Sequence, residues 1–169
     1  MSDSREDSSE PVTVLRTPIS LDYAYSAGQS ASRFLRAIAE GKLLGQRCPV
    51  DGRVYFPSRG ACPQHGVAFG EETVALPDKG TLVTFSVVRV PSENIPLDLP
   101  YVTANVLLDG SDTILMHVLD AKPEEVRMGM RVQAVWKPKE EWTTSTANIM
   151  YFRPIDEPDA DYETYKEHI

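Results

Sequence analysis

The chain has 169 residues, 41% hydrophobic and 25% charged, with 17 Lys+Arg against 25 Asp+Glu for a net charge of −8. That length suits one domain with a small appendage and can bury a proper core, while no apolar run approaches the ~20 residues a membrane span requires. The polar start MSDSREDSSE is unlike a secretory signal and two cysteines make no disulfide framework, so a cytoplasmic protein is expected.

Residues 1–21 read as a disordered acidic lead. Residues 1–10 carry four acids and one Arg, and 155–169 carry six acids and one Lys, contributing −3 and −5. Residues 11–154, with 15 acids and 15 bases, are neutral, so the net charge belongs to two ends expected to be solvated, disordered tails. Residues 22–45 form an N-terminal helical segment. The spacing predicts a helix over 23–40, clearest over 30–40, where Ala31, Phe34, Leu35 and Ile38 share one face; Ser30 is the expected cap and Gly41 the left-handed stop.

Residues 46–72 are dense in Cys, Pro and Gly, without the periodicity needed to fold around a core of their own. From residue 73 to 154 the pattern becomes one of strands, at 81–90, 101–108, 113–119, 130–136 and 148–153, with a hairpin turn at 109–112 and a single helical turn at 122–126. Five short strands with a helical turn between the third and fourth fit a five-stranded oligonucleotide/oligosaccharide-binding (OB) barrel. The absence of βαβ alternation, GxGxxG and a Walker sequence disfavours a nucleotide-binding α/β fold. The loop 91–100 displays Ile95, Leu97 and Leu99, either as a docking surface or lid or as cover for the core. Trp136 is expected inside the barrel and Trp142 outside it, exposed and able to meet a partner.

Two copies of one phrase carry the chemistry. Cys48-Pro49-Val50-Asp51-Gly52 and Cys62-Pro63-Gln64-His65-Gly66 both read C-P-x-x-G, with a potential metal ligand at the fourth place. Such bends bring two side chains three residues apart toward one ion, and zinc accepts thiolate, imidazole and carboxylate in a tetrahedron. Cys48, Asp51, Cys62 and His65 supply four ligands and leave no open position, so the zinc would be structural. Two other readings stay open: a metal-free ribbon packed on Val54, Tyr55 and Phe56, or a Cys48–Cys62 disulfide.

The order FLRAIAEGKLLGQRCPVDG, YFPSRGACPQHG, GTLVTFSVVRVP, PYVTANVLLDG and EEVRMGMRVQAVW resembles the zinc-ribbon plus OB-fold proteins that accompany thiolase-type enzymes in acyl-CoA metabolism, over residues 22–154. The resemblance implies a mainly β chain with an N-terminal helix, a rubredoxin-like zinc ribbon and a C-terminal five-stranded OB-fold barrel. Members carry Cys where this chain has Asp51 and His65. It also implies a non-catalytic partner of a thiolase, a hydroxymethylglutaryl-CoA synthase or a steroid side-chain aldolase, in a hetero-oligomer where the partner holds the nucleophilic chemistry and this chain helps shape the acyl-CoA channel.

No catalytic residue is expected in the chain itself. It has no G-x-S-x-G elbow, and His117 alternates with Met116 and Val118 in a strand, as a structural histidine would. Across 33–59 the cations Arg33, Arg36, Lys42, Arg47, Arg53 and Arg59 outnumber Glu40 and Asp51, an excess suited to a phosphate-bearing ligand. For a CoA ligand Arg47, Arg53 and Arg59 are the expected phosphate contacts, Arg59 foremost because Gly60 lets a backbone approach. The alternative class is a single-stranded nucleic-acid binder; the neutral core and acidic ends weigh against it.

Overall fold

The computed structural model describes residues 13, 14, 17, 21, 24–92 and 95–169, so most of the acidic lead lies outside the described residues. Helix α1 spans Gly28–Ala39 and buries Phe34, Ala37 and Ile38. It starts five residues later than the expected bound at 23. Its cap position is Ala27, with no side-chain cap bond, so Ser30 is not the cap; it lies inside the first turn. The stop is as expected: Gly41 has φ +72°, its N–H donates to Ile38 O at 3.1 Å, and the Lys42 N–H donates to Ala37 O at 2.9 Å. That pair of bonds closes the helix as a Schellman motif.

Strands β1 (Leu43–Arg47), β2 (Val54–Tyr55) and β3 (Thr73–Leu76) form a small antiparallel sheet in the order β2-β1-β3. Strand β1 carries no alternating pattern, and β3 is only four residues long. In β1, Leu43, Gly45 and Gln46 are all buried, so no polar face marks it as a strand. Strand β3 falls within the stretch read as barrel but pairs with β1, with Leu43 opposite Leu76.

Strands β4 (Lys79–Val88), β5 (Tyr101–Leu108), β6 (Ile114–Leu119), β7 (Arg131–Trp136) and β8 (Ile149–Pro154) close a barrel in the order β4-β5-β6-β8-β7, antiparallel except between β6 and β8. These are the five expected strands. The alternation that betrayed them is the barrel's own geometry: in β5, Val102, Ala104, Val106 and Leu108 point inward and are at most 1% exposed. At residues 122–126 a single turn forms, with the Glu125 N–H donating to Lys122 O at 2.9 Å.

One core joins all three parts. Phe34 and Ile38 of α1, Leu43, Val54, Phe56 and Leu76 of the ribbon, and Leu82, Val132 and Phe152 of the barrel belong to a single buried cluster. Each such side chain is worth about 1.5–3 kcal/mol of burial, so helix and ribbon are held by the same force as the barrel. Hydrogen bonds fix their placement: the Val54 N–H donates to Asp112 Oδ2 at 2.7 Å, the Asp112 N–H to Val54 O at 2.8 Å, and the Phe56 N–H to Thr113 Oγ1 at 2.8 Å.

Two expectations are corrected. The C-terminal end is not a detached tail. It forms 3-10 turns at Tyr162–Thr164 and Lys166–His168, buries Tyr165 to 5% exposure, and joins the barrel through Ala160 N–H to Gly129 O at 2.8 Å. Its acids are partly used: Glu157 pairs with Lys79 and Arg131, and Asp159 accepts from Nε and Nη2 of Arg127 at 2.6 and 2.8 Å. Trp142 does not stand free either. Its ring lies 5.4 Å from that of Trp136, and its Nε1–H donates to Lys137 O at 2.8 Å. His117, by contrast, is structural as read: its ring sits edge-on to Phe152, and its Nδ1 accepts the Val118 N–H at 2.9 Å.

Candidate functional site

The two C-P-x-x-G phrases fold alike. In the first, the Cys48 N–H donates to Arg53 O at 2.8 Å and the Gly52 N–H to Cys48 O at 3.0 Å; in the second, the Cys62 N–H donates to Val67 O and the Gly66 N–H to Cys62 O, both at 2.8 Å. Gly52 and Gly66 hold φ of +76° and +65°, a region in which a side chain is strained. The repeated sequence is thus a repeated bend, and the bends face each other.

They bring Cys48, Cys62 and His65 together, one donor atom from each lying within 4.8 Å of the others. His65 Nδ1 is 3.5 Å from Cys48 Sγ and 3.4 Å from Cys62 Sγ. A tetrahedral zinc with legs of ~2.3 Å to sulfur and ~2.0 Å to nitrogen has an S···N edge of about 3.6 Å, so the trio fits that ion. Asp51 stands beside the trio, with Oδ2 3.9 Å from His65 Nδ1. All four residues expected as ligands are gathered in one place, three tightly and the carboxylate at the rim.

The thiols sit in the ribbon's own small cluster with Tyr55 and Phe69, each cysteine 1% exposed. Burial pushes the Cys48 thiol up, the ordinary response of an acid leaving water. For Cys62 burial acts the same way but is outweighed by hydrogen bonds from the Tyr55 hydroxyl and the His65 N–H, which bring its pKa down to about 6. The Tyr55 phenol, its oxygen 3.5 Å from that sulfur, is pushed up to about 12. Burial of Asp51 would raise its carboxyl, but hydrogen bonds from Cys48 and the Arg53 N–H hold it below the usual range. Both shifts favour the anionic forms of Cys62 and Asp51.

The three arginines expected at a ligand are not gathered. Arg47 Nη1 donates to Gly52 O at 2.7 Å, closing the first bend. Arg53 spans both bends, with Nε 3.6 Å from Asp51 Oδ2 and Nη1 3.5 Å from Gln64 Oε1. Arg59 lines a hollow of about 250 Å³ beside Ser30, Ser58 and the start of α1. A second hollow of about 560 Å³ on the same helix is lined by Arg33 and Arg36. Both belong to the basic excess over 33–59, and their i, i+3 spacing is the signal that places them on one face.

With the geometry in place, relatives can be compared. A DUF35 domain-containing scaffold protein of Methanocaldococcus jannaschii is 38% identical over 116 residues, covering 68% of this chain and 82% of the relative. This chain belongs to the DUF35 family. A second DUF35 scaffold protein, from Pyrococcus furiosus, is 34% identical over 128 residues, covering 73% of this chain and 92% of that one. Residues 73–137 match the family described as ChsH2, C-terminal OB-fold domain. Among solved structures, the Ltp2-ChsH2(DUF35) aldolase superimposes with a TM-score of 0.53 at 25% identity, over 72% of this chain and 91% of that chain. A DUF35 protein of unknown function from Sulfolobus solfataricus shares the fold, with a TM-score of 0.56 at 17% identity over 75% of this chain and 84% of that one. For this DUF35 chain the barrel is therefore the family's OB-fold, and among the described residues no helix is long and apolar enough to cross a membrane.

Proposed function

We propose that this chain is a non-catalytic accessory subunit that binds a thiolase-like enzyme, a thiolase or a steroid side-chain aldolase, and helps shape its acyl-CoA site. The relatives are described as scaffold proteins, and the similar ChsH2 belongs to an aldolase. The observation that carries the reading is an uncharged outer face on the barrel. The outward rows of β4, β5 and β6, at 84, 86 and 88, at 101, 103, 105 and 107, and at 114, 116 and 118, hold no Asp, Glu, Lys, Arg or His. In a chain that is 25% charged this is a local depletion. Depletion of charge together with methionine is what marks the centre of protein interfaces, and Met116, at the middle of the face, is 72% exposed. Ile95, Leu97 and Leu99, each about two-fifths exposed, sit in the loop that joins β4 and β5.

In this reading zinc is structural, held by Cys48, Cys62 and His65 with Asp51 as the fourth ligand, and it keeps the ribbon in shape for the partner. The chain acts in the cytoplasm, where its two thiols stay reduced. Co-expression with a thiolase-like subunit from the same genome tests the function. The two chains are expected to co-elute on size exclusion, and Met116→Lys, which charges the face without touching the core, is expected to weaken the complex at least about tenfold, the scale of an interface hot spot. A chain that elutes alone from the wild-type pair, or a complex indifferent to Met116→Lys, sinks the reading.

A further inference from the structure

The solvent side of α1 carries a second feature. Arg33 and Arg36 lie one turn apart and line the hollow of about 560 Å³ with Ser26, Gln29, Ser32 and one acid, Glu71. Several cations elsewhere in the chain are paired with acids: Lys79 and Arg131 with Glu157, Arg127 with Asp159, Lys166 with Glu163. Arg33 and Arg36 have no hydrogen-bond or ion-pair partner among the described residues, despite the chain's excess of acids. Two guanidiniums left unpaired on one wall of a hollow make it locally cationic.

The geometry points to a binding site for the diphosphate of a diphosphate-bearing ligand on this face of α1. Side chains at i and i+3 have Cβ atoms about 5–6 Å apart, so both guanidiniums reach one pair of linked phosphoryl groups, each able to meet oxygen atoms two at a time. A lone phosphate would occupy one fork and leave the other idle. At the end of the hollow, Gly28 has φ +71° and nothing within 4 Å of where a Cβ would stand, so a ligand passes close over the backbone there. Beyond it, bounded by the same Gly28 and Gln29, opens the smaller hollow with Arg59, which gives the organic remainder of the ligand a continuous path. The inference deepens the acyl-CoA reading by locating an anionic end away from Arg47 and Arg53, and rests on it only for the identity of the organic part.

Inorganic pyrophosphate and the isolated full-length chain provide the test, with no partner enzyme present, so a failure here leaves the partnership untouched and the reverse. Amide resonances of α1 followed during titration at low salt are expected to shift and saturate. Arg33→Ala combined with Arg36→Ala should weaken binding about tenfold, and the charge-conserving double Lys variant should lose part of that through its lost fork geometry. Arg153→Ala, an exposed cation outside the hollow, should leave binding within about twofold, and orthophosphate should bind about fivefold more weakly than pyrophosphate. Non-saturating shifts, an equal loss in Arg153→Ala, or orthophosphate binding as well as pyrophosphate would each overturn the assignment.

Discussion

Trp142 roofs over Gly41: a Cβ built on that glycine would fall 2.5 Å from both Cη2 and Cζ3 of the indole. The glycine at the helix stop and the tryptophan after the fourth barrel strand are thus one joint. Gly41→Ala places a methyl group against the ring and also in a left-handed backbone, which costs an L-residue about 1–2 kcal/mol. With overpacking of about 1–3 kcal/mol, a loss of roughly 2–5 kcal/mol is expected in urea unfolding. Trp142→Ala alone should cost less in backbone terms, and the double variant should recover the steric part. A purely additive double variant would refute the joint.

Asn148 makes the second joint. Its Nδ2 donates to Ile38 O at 3.1 Å and Thr143 O at 2.7 Å, its Oδ1 accepts the Thr143 N–H at 3.0 Å, and the residue is 1% exposed. Truncation to Ala removes all three bonds and orphans the Thr143 N–H at a cost of about 1–3 kcal/mol, while Ile38 O keeps the Gly41 N–H and Thr143 O the Ser145 N–H. We expect Asn148→Ala to destabilise helix and barrel together by ~2–4 kcal/mol, in one transition by circular dichroism and by tryptophan fluorescence. Two separated transitions would show that the helix is not part of the barrel's cooperative unit.

For the metal, elemental analysis of protein purified without chelator is expected to give about one zinc per chain. Removal with a chelator should lower the melting temperature, because binding energy to the folded state is folding energy. Cys62→Ser should abolish zinc, whereas Asp51→Asn, altering the rim ligand, should weaken retention and leave the fold. Equal zinc content in wild type and Cys62→Ser would rule out this site.

The C-terminal segment should respond to acid and salt. Hydrogen bonds from Lys79 and Arg131 hold the Glu157 carboxyl below its ordinary value. A depressed folded-state pKa means that the stabilisation is fully present above the unfolded value, ~4.3 for glutamate, and is lost as pH falls through the folded one. Docking is thus expected to be constant at neutral pH and to fail on strong acidification, and to weaken with salt because these pairs are partly exposed. Exchange protection of the Ala160 and Tyr165 amides measures it. Glu157→Gln should remove most of the acid dependence; an unchanged profile would place its origin elsewhere.

Much of this architecture was legible in the residues alone. The five barrel strands, the turn at 109–112, the Gly41 stop and the twin bends at Cys48 and Cys62 are all local: alternation, turn chemistry and a repeated phrase act within ten residues or so, and the chain states them directly. The convergence of Cys48, Cys62 and His65, with Asp51 alongside, follows from the same repetition, because like bends aim like side chains at one another.

The tertiary structure alone decided what depends on partners distant in sequence. The fifteen C-terminal residues, six of them acidic, read as a solvated tail until Arg131, 26 positions before Glu157, is found beneath them. Trp142 read as exposed until Gly41 is seen to make room for it. Strand β1 had no periodicity to read because both its faces are covered, and the four residues of β3 are too few to show one. Arg47 and Arg53 looked available for a ligand, and the fold engages them with the bends, whereas Arg33 and Arg36 have no partner among the described residues. Which cation meets which acid is set by long-range topology, and no local pattern encodes it.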